Sequence, residues 1–289
     1  MEALKSNFFG LPEGFSGFEN SKAVILPVPY EGTTSYGAGT KEGPAAILAA
    51  SRQVELYDEE LDCSPYEVGI FSAEEMCPSR ISYQVPIDQT KDLFAQVLEK
   101  NKFPIMLGGE HSITLGGILA AREKYPDLCV VQIDAHADLR IDYEESPHSH
   151  ACVMRRVVEK SVPLLQIGIR NISQEEMDFW KKERPSEILW GKDMPSWDIQ
   201  AAIGKLSRHV YLTIDLDGID PSEMAAVGTP EPGGISWYRL LGILRELFES
   251  REVVAADIVE LCPIPGFRAP DFLAAKLLYK LIGYRFFSR

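Results

Sequence analysis

Apolar residues along the chain fall into two alternating patterns. Ala23-Val24-Ile25-Leu26-Pro27-Val28 is an almost unbroken apolar run of strand length. Similar runs occupy residues 103–107, 129–133, 164–168, 210–214 and 253–259. Between them the spacing changes to that of one helical face. Ile47, Leu48 and Val54 mark such a face behind Pro44, which sits where a helix can begin without losing a needed N–H. Leu93, Phe94, Val97 and Leu98 mark a second, and residues 111–123 a third. A polar helix is expected around 175–182, and a strongly amphipathic one through Leu240, Leu241, Leu244, Leu247 and Phe248. A closing helix is expected from Asp271 to about Phe286.

Strands apolar along both faces suit a parallel sheet covered on both sides. Strands alternating with helices imply right-handed βαβ units. The expected fold is α/β, a three-layer α/β/α sandwich with a mostly parallel sheet. No linker, internal repeat or low-complexity stretch interrupts the pattern, so one domain is expected over residues 1–289.

In such sheets ligands bind beyond the carboxyl ends of the strands, and the chemically able residues follow the apolar runs. Leu107 leads into Gly108-Gly109-Glu110-His111-Ser112. Ile133 leads into Asp134-Ala135-His136-Ala137-Asp138, Ile214 into Asp215-Leu216-Asp217, and Val259 into Glu260. In extended chain, alternate residues point the same way. Asp134, His136 and Asp138 would then face one point, as would Asp215 and Asp217. With His111 the set holds four carboxylates and two imidazoles. Each piece alone has a plainer reading as turn or helix-cap chemistry, but three pieces at successive strand ends do not. So much like charge in a poorly solvated pocket repels. Raised pKa values or bound cations can relieve it, and two divalent ions match four carboxylates. Oxygen and imidazole donors without thiolates favour manganese, with nickel and cobalt left open. Two ions about 3.5–4 Å apart acidify a shared water.

Charge narrows the partners. The formal net charge is -14, and no Lys/Arg cluster offers a nucleic acid its usual basic patch. No apolar run reaches membrane-span length, and Met1-Glu2-Ala3-Leu4-Lys5 does not begin a signal peptide. The expectation is a soluble cytoplasmic protein. Five widely spaced cysteines without a C-x-x-C pair read as buried reduced thiols.

At these motifs the sequence resembles the ureohydrolase (arginase–agmatinase) family. The likeness runs from Gly32-Thr33-Thr34-Ser35-Tyr36 through Gly43-Pro44, the three ligand motifs and Gly228-Thr229-Pro230-Glu231-Pro232-Gly233-Gly234 to Val259-Glu260. The resemblance implies two manganese ions, one on His111 and Asp138, the other on His136 and Asp217, bridged by Asp134 and Asp215. Asp138 would also accept a hydrogen bond from the attacking hydroxide. Glu260 would pair with a substrate guanidinium, with Thr229 beside the same pocket. His150 matches a mobile-loop histidine that moves protons to or from the leaving amine. His148 is a weaker candidate, and His209 is taken as structural. A small cationic guanidino substrate and a homotrimer or homohexamer are implied.

The sequence departs from arginase where arginase reads an α-amino acid: Arg140 follows Asp138-Leu139 in place of an asparagine. Pro147-His148-Ser149-His150-Ala151-Cys152 resembles bacterial agmatinase instead. The expected reaction is agmatine to putrescine and urea. Aminopropylagmatine or a carboxylated analogue, guanidinobutyrate, guanidine and formimidoglutamate are alternatives. Asp142, Glu144 and Glu145 either attract the distal ammonium and neutralise Arg140 or form a solvated loop. A single-zinc deacylase of the same fold would have no use for His111 with a second aspartate pair. A catalytically inactive relative would be expected to lose ligands.

Overall fold

The computed structural model describes residues 1–79 and 81–288. The strands are β1 (Ala23–Val28), β2 (Ile70–Ser72), β3 (Phe103–Gly108), β4 (Cys129–Ile133), β5 (Leu164–Ile169), β6 (Glu187–Trp190), β7 (His209–Asp215) and β8 (Glu252–Val259). The helices are α1 (Glu13–Ser16), α2 (Gly43–Ser51), α3 (Gln84–Glu99), α4 (Thr114–Lys124), α5 (Val153–Glu159), α6 (Gln174–Glu183), α7 (Ile199–Gly204), α8 (Trp237–Ser250) and α9 (Ala269–Phe287). The strands form one sheet in the order β2-β1-β3-β8-β7-β4-β5-β6, and every pairing is parallel.

Strand alternation divides the core into two layers. Ile25, Ile105, Val131, Leu212 and Ile258 pack towards one face, against Ile47 of α2, Ile203 of α7, Leu244 of α8 and Leu278 of α9. Val24, Met106, Val130, Tyr211 and Ala255 pack towards the other, against Phe94 of α3, Ile118 of α4 and Val157 of α5. This is the expected three-layer sandwich.

Four elements differ from the sequence expectation. β2 and β6 lie at the two edges of the sheet and span three and four residues, too short to show as apolar runs. α5 showed no apolar period in the sequence; its Val153, Met154 and Val157 are buried and Arg155 and Arg156 are partly buried. Val54 lies beyond the end of α2 but is still buried in the same core.

The strand order brings the site together. From β3 the chain crosses to β4, runs outward to β6, then returns to insert β7 and β8 between β3 and β4. The four central strands, β3, β8, β7 and β4, are the four whose carboxyl ends carry the candidate residues. Two glycines permit close backbone approach along this edge of the sheet, including the segment after β1. A Cβ on Gly109 would lie 1.9 Å from the Tyr30 carbonyl oxygen, and one on Gly218 2.8 Å from the Asp134 nitrogen.

Candidate metal centre

His111 follows β3 and is fully buried, and three carboxylates close around its Nδ1. Asp138 Oδ2 lies at 3.1 Å, Asp134 Oδ2 at 3.2 Å and Asp215 Oδ2 at 3.3 Å. Beside this group, His136 Nδ1 lies 2.9 Å from Asp217 Oδ2 and 3.7 Å from Asp134 Oδ1. The result is two overlapping groups that could each hold a metal ion, His111/Asp134/Asp215 and Asp134/His136/Asp217, with Asp134 common to both.

The convergence does not come from extended-chain alternation, as the spacing suggested. Asp138 has a left-handed φ of 53°, which turns the backbone back towards the centre. Asp217 sits in a 3-10 turn whose first residue is Leu216, and its N–H donates to Asp215 Oδ1 at 3.0 Å. Similarly, His136 N–H donates to Asp134 Oδ1 at 2.5 Å. Turns closed by the aspartates themselves aim the ligands, a use of short carboxylate side chains that competes with regular structure.

Buried polar residues hold these ligands from behind. Gln132 Nε2 donates to Asp134 Oδ2 at 2.6 Å, while Gln166 Nε2 donates to Gln132 Oε1 at 2.6 Å and to the Ala137 carbonyl at 2.7 Å. Ser186 Oγ donates to Gln166 Oε1 at 2.7 Å. The Arg170 guanidinium donates to the Asp217 carbonyl at 2.6 Å and to the Glu231 carbonyl at 2.8 Å. None of these supporting residues is among the sequence candidates. Their signal was present, because Gln132, Gln166, Thr213 and Asp257 are polar residues inside otherwise apolar runs, and buried polar groups need partners.

Electrostatics show why the cluster suits a cation. Burial, then the charges of Asp217 and Asp134, pushes the Asp215 carboxyl well above its usual range. Burial, then Asp134, moves Asp138 up to about 7. Burial opposes charge on the two imidazoles, but the carboxylates outweigh it and raise His111, and His136 to about 12. Burial would also raise Asp134, yet its contacts with the two histidines hold it below the ordinary carboxylate value. Without a cation, protons must balance the cluster.

The donor set fits a metal ion. The Thr213 hydroxyl donates to Asp257 Oδ1 at 2.6 Å, so its oxygen is left to accept from His111 Nε2 at 2.9 Å. That assignment leaves Nδ1 as the metal-facing nitrogen, and Nδ1 is buried without a directed hydrogen bond. A second hydrogen-bonded shell that fixes the tautomer of a ligating histidine is common at metal sites.

A cavity of about 200 Å³ opens above the cluster, lined by His111, His136, Asp138, Asp215, Asp217, His150, Thr229 and Glu260. Glu260 is 8% exposed and has a left-handed φ of 66°, and its Oε1 accepts the His111 N–H at 2.6 Å. Burial, then the Glu110 charge, raises its pKa well above the usual value. Thr229 Oγ1 lies 3.5 Å from Asp217 Oδ2. His150 is half-buried at the cavity wall with its Nδ1 3.1 Å from Thr33 Oγ1, and burial lowers its pKa.

All the residues expected at the site therefore meet there. His148 is half-buried and absent from the cavity lining. His209 pairs with Asp127 at 2.6 Å at the opposite, amino end of β7, consistent with a structural role. Asp142, Glu144 and Glu145 are exposed and do not line the cavity, as a solvated loop would be. Arg140 does line it, but its partner is Glu176 of α6, 3.8 Å away, and its guanidinium lies over the Tyr143 ring. The cysteine reading needs correction. All five are free, but only Cys129 and Cys152 are buried, and Cys77 is exposed.

Fold and centre together define a metal-dependent hydrolase site at the carboxyl edge of a parallel sheet. The arginase family model matches residues 21–283. An N(1)-aminopropylagmatine ureohydrolase of Synechocystis sp. is 42% identical over 281 residues, covering 94% of this chain and 92% of the relative. The agmatinase of Bacillus subtilis is 35% identical over 251 residues, 86% of each chain. The crystal structure of agmatine ureohydrolase of Thermoplasma volcanium superposes with a TM-score of 0.85 at 34% identity, covering 94% of this chain and 92% of that one. The chain belongs to the arginase family, as one of its ureohydrolases. Among the described residues no helix is long and apolar enough to cross a membrane.

Proposed function

We propose that the protein is a dinuclear manganese enzyme that hydrolyses the guanidinium group of N1-aminopropylagmatine, releasing urea and the freed polyamine. The observation that carries this reading is the pair of ligand sets sharing Asp134, set below a cavity walled by Glu260 and His150. The choice of tail rests on relatives. Four of them bear the aminopropylagmatine ureohydrolase name at 35–42% identity and match at least 92% of this chain. Agmatine is the second reading, supported by the Bacillus agmatinases at 35–36% identity and by the Pro147–Cys152 likeness.

In this reading His111 and Asp138 would hold one ion and His136 and Asp217 the other, with Asp134 and Asp215 available to both. Carboxylate and imidazole donors without thiolate support manganese. When bound, two such ions acidify a shared water and make hydroxide available near neutral pH. The Glu260 carboxylate receives the planar guanidinium through charge-assisted hydrogen bonds and fixes its carbon over the ligand cluster. Thr229 borders the same position from the β7–α8 loop. The Asp138 carboxylate accepts a proton at the floor of the cavity, and His150 delivers one to the leaving amine nitrogen. The acidic cavity attracts a cationic substrate. Glu176 offsets Arg140, so the positive charge at the rim does not oppose the tail. Family likeness supports a cytoplasmic homotrimer or homohexamer.

The test is urea release by the manganese-loaded protein from N1-aminopropylagmatine, agmatine, arginine, guanidinobutyrate, formimidoglutamate and guanidine, with metal stoichiometry measured alongside. The expected result is two ions per chain and a kcat/KM for N1-aminopropylagmatine at least about tenfold above that for agmatine, equivalent to about 1.4 kcal/mol. A preference for agmatine overturns the tail assignment and keeps the chemistry. One ion per chain without urea from any compound overturns the ureohydrolase reading in favour of a deacylase-like centre.

A further inference from the structure

His150 does not stand alone in the cavity wall. Its Nδ1 lies 3.1 Å from Thr33 Oγ1 and 3.3 Å from Ser149 Oγ, and its backbone N–H donates to Thr33 Oγ1 at 3.1 Å. Thr33 is in turn tied to Glu110, a fully buried carboxylate. Its hydroxyl donates to Glu110 Oε1 at 2.8 Å, and its N–H donates to Oε2 at 2.6 Å. Gly32 N–H and Ser112 Oγ complete the set, at 2.6 and 2.5 Å. Glu110 thus accepts from four donors.

Hydrogen-bond accounting then fixes the imidazole. A hydroxyl has one proton and two acceptor sites. The Thr33 proton is committed to Glu110, because a carboxylate receiving four donors has none to give. Thr33 Oγ1 can therefore only accept from His150, and at 3.1 Å against 3.3 Å for Ser149 Oγ this nearer contact favours the ring proton on Nδ1. Nε2, on the opposite side of the ring, is left with a lone pair and no hydrogen bond among the described residues. His150 lines the cavity, and Nε2 is the ring atom free to act there.

We propose that Thr33, anchored by Glu110, is a positioning residue that holds His150 as the Nδ1–H tautomer with its Nε2 lone pair turned to the reacting groups. The arrangement has the logic of an acid orienting a catalytic base, with a hydroxyl interposed between them. It sets the order of proton movements: Nε2 first accepts a proton released in the cavity, then donates it to the departing amine. Glu110 stands next to the ligand His111, but its side chain points to the β1–α2 loop and serves His150 instead. This inference rests on the proton-transfer reading of His150 given above.

The experiment compares Thr33→Val, Thr33→Ser, His150→Asn and the Thr33→Val/His150→Asn double variant as manganese-loaded proteins. It records kcat, KM and bound metal with N1-aminopropylagmatine and agmatine. Thr33→Val keeps the shape and removes the hydroxyl. It is expected to lower kcat by about tenfold or more, part of the about 10²–10⁴-fold that a positioned proton donor contributes. KM and metal content should stay unchanged. Thr33→Ser should recover kcat to within about threefold of the parent, and the double variant should be no slower than His150→Asn alone. If Thr33→Val stays within about threefold of the parent while His150→Asn is impaired, the positioning role is overturned and the His150 reading stands. If Thr33→Ser is as slow as Thr33→Val, or metal is lost in both, the hydroxyl's part is structural and the inference also fails. If His150→Asn keeps full kcat, both fall together.

Discussion

Thr213 and His111 are joined by a 2.9 Å hydrogen bond between hydroxyl oxygen and Nε2, with the hydroxyl proton spent on Asp257. Asp257 is fully buried in β8 and also accepts from Tyr211 at 2.7 Å. Two central strands thus hold the His111 imidazole from behind. Replacing Thr213 by Val removes both bonds at almost constant volume. Manganese affinity should fall by about 10–100-fold, as for other losses behind a metal ligand. Folding stability should drop by about 1–3 kcal/mol from the unpaired Nε2–H and carboxylate. Calorimetric manganese titration and thermal unfolding of the variant test this. An unchanged manganese isotherm would remove Thr213 from the support of the centre.

Metal binding should strengthen as pH rises. Asp138 is held protonated up to about 7 by burial and Asp134, burial and the neighbouring aspartates raise Asp215 well above its usual range, and both histidines favour their charged forms. Each must release its proton before it can ligate. For Asp138 the folded value lies above the ordinary 3.8. Its contribution to the stability of the metal-free protein is therefore full below about pH 4 and is lost as pH rises towards about 7. A bound divalent ion would supply positive charge in that window, so the stabilisation on adding manganese should grow between pH 5 and about 7. Thermal unfolding with and without manganese across this range is the measurement. A metal-induced shift that is flat or shrinking with pH contradicts the proton-for-cation exchange.

Which parts of this were legible in the chain follows from length and from covalent neighbourhood. The central strands showed because burial on both faces makes residues such as Cys129-Val130-Val131 apolar without interruption. The edge strands β2 and β6 did not, because three or four residues carry no period. The ligands could be found because each follows directly on a legible strand, as Asp134 follows Ile133. Their means of convergence could not be found: a left-handed backbone at Asp138 leaves no mark in the apolar pattern, and the Asp215–Asp217 spacing reads the same whether the pair is extended or closed into a turn. Arg140 gives the clearest contrast. Nearby acids in sequence, Asp142, Glu144 and Glu145, offered themselves as partners, but its partner is Glu176, brought in by a helix that begins more than thirty residues later.

Glu260 isolates the contribution of charge to substrate orientation. Its Oε1 also accepts the His111 N–H, and Glu260→Gln preserves that acceptor and the size of the side chain. The variant should keep both metal ions and lose kcat/KM by about 10–100-fold, equivalent to about 1.5–3 kcal/mol for a hydrogen bond to a charged group. A neutral competitor such as urea should inhibit parent and variant alike. Steady-state kinetics beside metal analysis decide the matter: loss of metal would assign Glu260 to the ligand set, and unchanged kinetics would take it away from the guanidinium.

The sharing of Asp134 makes the two metal sites separable by mutation. Asp134 Oδ2 faces His111 and Oδ1 faces His136, whereas Asp217 belongs to the His136 set alone. Asp134→Asn leaves the amide nearly in place but removes an anionic donor from both sets. Asp217→Asn removes one from a single set and keeps its hydrogen bond with the Ala135 N–H, since the amide oxygen can still accept there. Stepwise manganese titration should therefore show both binding steps weakened in Asp134→Asn, by more than the about 10–100-fold typical of a change behind a ligand. In Asp217→Asn one step should remain near the parent affinity. Turnover should be lost in both, because one ion alone acidifies a water less than two acting together. If Asp134→Asn instead retained one parent-like binding step, Asp134 would serve a single ion, and the bridge would have to be assigned to Asp215 alone.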